Sequence, residues 1–155
     1  MGSQITVSDI RTAITNLVSL QEDLSISSPV SSSIKRAYNY TPNMSSSLPD
    51  TPCWLNTWSL QRQELDVGLR ILTYTIRMQL MVFDADFSRA ADMCSAYMTA
   101  FITAHNADIT LDSSVTQCAL RGGDPTLGVL SWAGQEYVGL DLYLDCEIKS
   151  AVSVT

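Results

Sequence analysis

The stretch from Leu72 to Val82 constrains the fold more than any other part of this chain. Leu72, Tyr74, Ile76, Met78, Leu80 and Val82 alternate with Thr73, Thr75, Arg77, Gln79 and Met81. Successive side chains on a strand point to opposite faces, so period two over this length predicts a strand with one face buried and the other turned outward. At ~3.3 Å per residue the strand is about 40 Å long. It needs pairing partners, and a second alternating run near the C-terminus offers one. There Val138, Leu140, Leu142, Leu144, Cys146 and Ile148 point inward, and Tyr137, Asp141, Tyr143, Asp145 and Glu147 point outward. The dipeptide Gly134-Gln135 suits a tight hairpin with Gly at its first position. Before it, Gly128 to Ala133 and Val115 to Leu120 read as shorter strands, separated by a turn at 121–125.

Two segments switch to the helical period. Ile10, Ile14, Leu17 and Val18 share one helix face, with Ser8 in the N-cap position, Asp9 at the positive end of the dipole and an end near Glu22. Ala90, Met93, Cys94, Tyr97, Phe101 and Ala104 form the apolar stripe of a second helix, capped by Asp84 or Asp86. Arg89, Asp92, Ser95, Thr99 and Thr103 fall on its opposite side. Between the first helix and the strands lies a serine- and proline-rich connection at 23–50, which reads as mobile until a partner orders it. Inside it, Ile34 to Tyr40 reads as a short edge strand closed by Thr41-Pro42. After Pro49 and Pro52, residues 53–58 are extended. Residues 59–68 are polar, end in Gly68 and read as a hairpin tip.

The order is helix, long loop, strands, helix, strands. That predicts one α+β domain over 1–155, a mostly antiparallel sheet packed against two helices, with a flexible tail at 149–155. At 155 residues the chain is long enough to bury a core without staples.

Charge narrows the function classes. Nine basic and sixteen acidic residues give a formal charge of −7, which argues against nucleic acid as the main partner, because phosphate binding needs a basic face. The excess acid lies in residues 84–155, so the outward carboxylates of the last strand read as a solvated face or the charged rim of an assembly. Charged residues make up only 16% of the chain, low for a lone monomer, so the chain either stays marginally soluble or covers surface with copies of itself. No run approaches the ~18 apolar residues of a membrane helix. No basic patch leads into an apolar core at the N-terminus, so no export signal is read.

No catalytic constellation emerges. The four cysteines, Cys53, Cys94, Cys118 and Cys146, contain no C-x-x-C pair and read as buried thiols. His105, the single histidine, reads as a helix-terminal residue favoured by the dipole at a frayed end. The run from Gly123 to Gly128 has Walker-like glycine spacing without the Gly-Lys-Ser/Thr ending, so it is a turn. Asp84/Asp86 reads as capping and Asp141/Asp145 as a strand face, so no metal, cofactor or catalytic residue is assigned and no enzyme is expected. Trp54, Trp58 and Trp132 read as core or interface.

The segment from Leu130 through Trp132, Gly134, Tyr137, Gly139 and Asp141 to Glu147 resembles the C-terminal signature of tail terminator proteins of long-tailed bacteriophages. The stretch Leu48-Pro49-Asp50-Thr51-Pro52-Cys53-Trp54-Leu55 is similar to that family's leucine-proline run before an apolar strand, and the strand at 70–83 followed by an amphipathic helix also fits. The resemblance covers residues 5–150 in element order. It implies a mixed sheet with helices on one face and a virion protein of the tail–neck junction, assembled in the host cytoplasm. Such a protein forms a homo-oligomeric ring, a hexamer in the family, that caps the tail tube, stops its polymerisation and meets the head–tail connector. The genome passes through such a ring without sequence-specific contact. Composition then suggests that the sheet edge and the second helix form the subunit contacts, that the loop at 59–70, with Arg62, Glu64, Asp66 and Arg70, reaches the tube or connector, and that Asp141, Tyr143 and Asp145 belong to an interface. A head-completion protein of the same virion and an acidic protein-binding module are the alternatives.

Overall fold

The computed structural model describes residues 7–39, 51–66, 68–84, 86–112, 114–121, 126–132 and 134–151. Its elements in chain order are α1 (Val7–Glu22), β1 (Ser25–Ile26), β2 (Ser32–Ser33), β3 (Arg36–Tyr38), β4 (Cys53–Asp66), β5 (Leu69–Val82), α2 (Phe87–Asn106), β6 (Gln117–Leu120), β7 (Thr126–Trp132) and β8 (Gln135–Ala151). The fold is α+β, with two helices and a mostly antiparallel mixed sheet.

The main sheet runs β3-β4-β5-β8-β6, and β7 also pairs with β8. Its spine is the ladder between β5 and β8, in register from Leu69 opposite Ala151 to Val82 opposite Val138. On the far side of β8, two short strands share one long edge. There β7 pairs with Gln135–Asp141, and β6 pairs with Leu144–Glu147. Among the described residues only β3 runs parallel to its neighbour, lying along Cys53–Leu55 of β4.

Alternation decides which face is covered. The even residues of β5 and β8 from Leu72 to Val82 and from Val138 to Ile148 are buried, and with Trp54 and Cys118 they form one core with Ile10, Ala13, Ile14 and Leu17 of α1 and Ala90, Met93, Cys94, Tyr97 and Phe101 of α2. Both helices therefore lie on one face of the sheet, and burying each large side chain there stabilises the fold by ~1.5–3 kcal/mol. The odd face carries a small second cluster at one end: Tyr38, Cys53, Leu55, Met81 and Tyr137. The rest of it is open.

Several local expectations change. Segment 59–68 is not a loop. The hairpin closes instead at Gly68, whose φ of +71° is the left-handed conformation glycine tolerates, and β4 stays paired with β5 through Asp66. A single bulge at Gln61 shifts the register between Leu60 and Arg62. The polarity of this segment reports exposure on both faces, not the loss of strand. Helix α1 begins at Val7, which puts Ser8 inside the first turn rather than at the cap. Asp86, not Asp84, caps α2: its carboxylate accepts from the backbone amides of Ser88 and Arg89 at 3.1 and 3.2 Å.

The first half of the serine-rich connection carries defined contacts. β1 and β2 pair, Leu24 and Ile34 are buried, and the hydroxyls of Ser32 and Tyr97 hydrogen-bond at 2.7 Å. The edge strand expected at Ile34–Tyr40 is β3. Residues 40–50, with Thr41-Pro42 and Leu48-Pro49, lie outside the described residues, as does most of the turn at 121–125 and the tail from 152 onward.

One polar joint is buried in the core. Gln21 of α1 and Asn56 of β4, both fully buried, exchange reciprocal amide hydrogen bonds at 2.9 and 2.7 Å. Asn56 also donates to the Tyr38 carbonyl at 2.9 Å. Buried amides must be satisfied, so this triple contact fixes where the end of α1 meets β3 and β4.

Candidate functional site

The register lines up the helix-free face in rows across the sheet. Thr57, Arg77, Tyr143 and Arg121 form one row, Ser59, Thr75, Asp145 and Ala119 the next, and Arg62, Thr73, Glu147 and Gln117 a third. Directly opposed residues share a face, so these side chains face the same solvent. A groove of about 270 Å³ runs between the first two rows, lined by Thr57, Ser59, Gln61, Thr75, Arg77, Arg121 and Tyr143.

The carboxylates expected to make this face acidic are paired with cations. Arg77 donates from Nη2 to Asp141 Oδ2 at 3.0 Å. Arg121 donates to both oxygens of Asp145 at 3.0 and 3.3 Å and to Thr75 Oγ1 at 3.0 Å, while Thr75 donates to Asp145 at 2.7 Å. The guanidinium of Arg121 also lies 5.1 Å from the centre of the Tyr143 ring. Glu147 pairs with Lys149 at 3.2 Å and accepts from Gln117. Burial pushes the Asp145 carboxyl up, but hydrogen bonds from Arg121 and Thr75 and the guanidinium charge outweigh it, so its pKa lies below the usual carboxylate value. The hydrogen bond to Asp141, reinforced by its charge, raises the Arg77 pKa against the opposing cost of burial. The face is therefore polar and charge-matched: its carboxylates face outward as expected, each beside a cation. Arg77 of β5 and Arg121, just past β6, pair with Asp141 and Asp145, and Lys149 of β8 itself pairs with Glu147.

The proposed interface residues fall into separate places. Arg62 and Glu64 lie on the helix-free face of the β4–β5 hairpin, exposed and bridged to each other at 2.7 Å. Asp66 is the last residue of β4, opposite Leu69. Arg70 pairs in register with Leu65 and Ser150, which puts it on the opposite face from Arg62. Asp141, Tyr143 and Asp145 stand together in the middle of the helix-free face. The structure thus brings the β8 trio together, extends their face along the hairpin through Arg62 and Glu64, and separates Arg70. Sequence reasoning missed Thr75, Arg77 and Arg121 as members. The usable signal was opposite charge at outward positions of adjacent antiparallel strands, and Arg121 was hidden because it reads as a turn residue.

Two other candidates resolve locally. Asp84 accepts from Arg89 Nε and Nη2 at 2.8 and 2.9 Å, and these bonds, with the Asp86 amide, hold its pKa low. His105 lies in the last turn of α2, as expected, and points into the core. It is buried, stacks on Phe101 with ring centroids 5.9 Å apart, and places Nε2 3.1 Å from Cys118 Sγ. It follows Phe101 by four residues, so the same helical stripe that buries Phe101 carries it inward. Trp54 is fully buried against Phe101, and Trp58 is partly exposed and packs edge-on against Tyr74.

Among the described residues, no group of three or more His, Cys, Asp or Glu side chains is arranged to hold a metal ion. Among the same residues no helix is long and apolar enough to cross a membrane. No protein-family model matches this chain, and no curated protein matches it closely enough to count as a relative.

Proposed function

We propose that this chain is a structural subunit of a bacteriophage virion, a tail terminator that closes into a ring on the end of the tail tube, halts tube growth and offers a joint to the head connector. The observation that carries the reading is the pair of open lateral edges on one sheet. Among the described residues, β4 from Asn56 to Asp66 has no strand on its outer side, and neither has β7 on the other flank. Edges of this kind are templates for pairing with another chain, and a heterologous contact from one flank to the other builds a ring when the rotation closes. Leu127 and Val129, about half exposed along β7, supply apolar area beside that edge. The helix-free face with its arm of β4 and β5 is then left for tube or connector, and its matched charges suit a polar, register-setting contact. An acidic docking module has less support, because the carboxylates that would make its face are paired.

The test is to mix the purified chain with polymerising tail tube protein of the same virion and image the tubes in negative stain. Rings at tube ends and arrested growth are the expected result. Tubes that lengthen at an unchanged rate, with a chain that stays monomeric and unbound, would overturn the proposal.

A further inference from the structure

The helix-covered core contains a group that the ring reading leaves unused. Cys118 of β6 and Cys146 of β8 are direct partners in the antiparallel register. Three positions along this ladder Arg121 N–H donates to the Tyr143 carbonyl, and the Cys118 amide turns away from β8 to donate to the Ile109 carbonyl at 3.0 Å. Cys118 and Cys146 therefore occupy a non-hydrogen-bonded position, where facing backbones approach most closely. Both side chains are buried on the helix-covered face, directly across the two strands from each other, and His105 Nε2 lies 3.1 Å from Cys118 Sγ.

We infer that Cys118 and Cys146 are an oxidation site, at which hydrogen peroxide converts two facing thiols into a cross-strand disulfide that ties β6 to β8. The inference is independent of the proposed function. In the first step the Cys118 thiolate attacks one peroxide oxygen and the O–O bond breaks. The departing hydroxide takes a proton by way of His105 and leaves as water, and Cys118 becomes a sulfenic acid. The Cys146 sulfur then attacks Cys118 Sγ, the S–O bond breaks, and the oxygen leaves as a second water carrying the Cys146 proton. Two thiols lose two electrons and one peroxide gains two.

The surroundings set the direction of attack. The hydrogen bond from Cys146 lowers the Cys118 pKa, burial opposes it, and the His105 hydrogen bond and charge lower it further, to about 6, while Asp108 pushes it up. Cys146 is displaced upward by Cys118, by burial and by Asp145, so it is the resolving thiol. In the neutral state Cys118 Sγ donates to the Ile109 carbonyl at 3.0 Å, a contact that the thiolate gives up. Cys94, buried elsewhere in the same core, is pushed up to about 12 by burial alone and serves as an internal control. Access follows from position. β6 is a four-residue strand on the edge of the sheet, held to β8 by four register pairs, and short edge strands open locally long before the core does. Peroxide is small and uncharged enough to enter.

The full-length chain is treated with hydrogen peroxide at neutral pH, alkylated and mapped by peptide mass spectrometry. A linked Cys118–Cys146 peptide is expected, with Cys118 consumed about tenfold or more faster than Cys94. In Cys146→Ser the sulfenic acid on Cys118 persists and is trapped by dimedone, and in Cys118→Ser no dimedone adduct forms at Cys146. In His105→Gln the pH of half-maximal Cys118 oxidation moves upward. Equal oxidation of Cys118 and Cys94, or no linked peptide at full peroxide consumption, overturns the site. An unchanged pH profile in His105→Gln overturns the positioning role of the histidine. Alkylation of Cys118 in the unmodified chain, followed against pH, gives the same answer should either serine variant fail to fold.

Discussion

The two faces of the β5–β8 ladder come from the same strands and are built by different chemistry. On the helix side, even-numbered residues from Leu72 to Val82 and from Val138 to Ile148 are sealed under α1 and α2. On the helix-free side the odd-numbered residues beside them pair the buried Thr75 hydroxyl with Asp145 and the exposed Arg77 with Asp141. A buried apolar side chain is worth several times an exposed ion pair. The comparison teaches that stability is concentrated on one face, which leaves the other tolerant of change and suited to a partner.

The largest expected effect tests the covered face. Phe101 is fully buried between Trp54 and His105. Phe101→Ala removes a large side chain from a packed site and leaves a cavity, so it costs about 3–5 kcal/mol in denaturant unfolding. A cost below about 1 kcal/mol would mean that the helices do not seal this face.

The polar joint inside that face comes next. Asn56→Ala strands the fully buried Gln21 amide and removes the bond to the Tyr38 carbonyl, and about 2–3 kcal/mol is lost. Replacing both amides with leucine recovers part of that loss, because the penalty comes from an unsatisfied partner rather than from the pair itself. A double variant as unstable as the single loss plus a second equal loss would refute that account.

Tyr97→Phe is a smaller change on the same side. It removes the 2.7 Å hydrogen bond to Ser32 and nothing else of volume, for about 1 kcal/mol. Burial raises the Tyr97 pKa against the opposing Ser32 hydrogen bond, so a phenolate titration displaced upward in the parent and displaced further in Ser32→Ala checks the same contact without unfolding the protein.

The sequence disclosed these faces unequally, for a physical reason. Period two in β5 and β8 and the stripe from Ala90 to Ala104 are repeated signals, and each repetition adds to the last. The covered core was therefore legible nearly residue by residue. The hairpin from Ser59 to Asp66 was not, because a strand exposed on both faces has no apolar alternation to display. The charge pairing was hidden as well. Arg77 lies 64 residues from Asp141, and Arg121 lies 24 residues from Asp145, so only register brings them together. His105 does lie in the last turn of α2, but its burial was missed because a terminal helix position suggests the dipole, whereas the turn from Phe101 also carries it into the core.

The smallest effects belong to the helix-free face, and they separate its chemistry from that of the core. Arg121→Ala removes the largely exposed fork on Asp145, the part-buried bond to Thr75 and the contact with Tyr143, and the loss at low salt is well below that of any core variant above. Raising the salt should erase most of the difference, since exposed charges are screened within ~10 Å at 0.1 M. The pH dependence has a definite sign. The folded-state pKa of Asp145 is depressed, so its contribution is present above the unfolded value of ~3.9 and is lost as pH falls through the folded value. Asp145→Asn should therefore be slightly less stable than the parent at neutral pH and converge with it in acid. Phe101→Ala should keep its full deficit across the same range, because no ionisation is involved. If the two variants showed the same pH and salt response, the division of labour between the faces would be wrong.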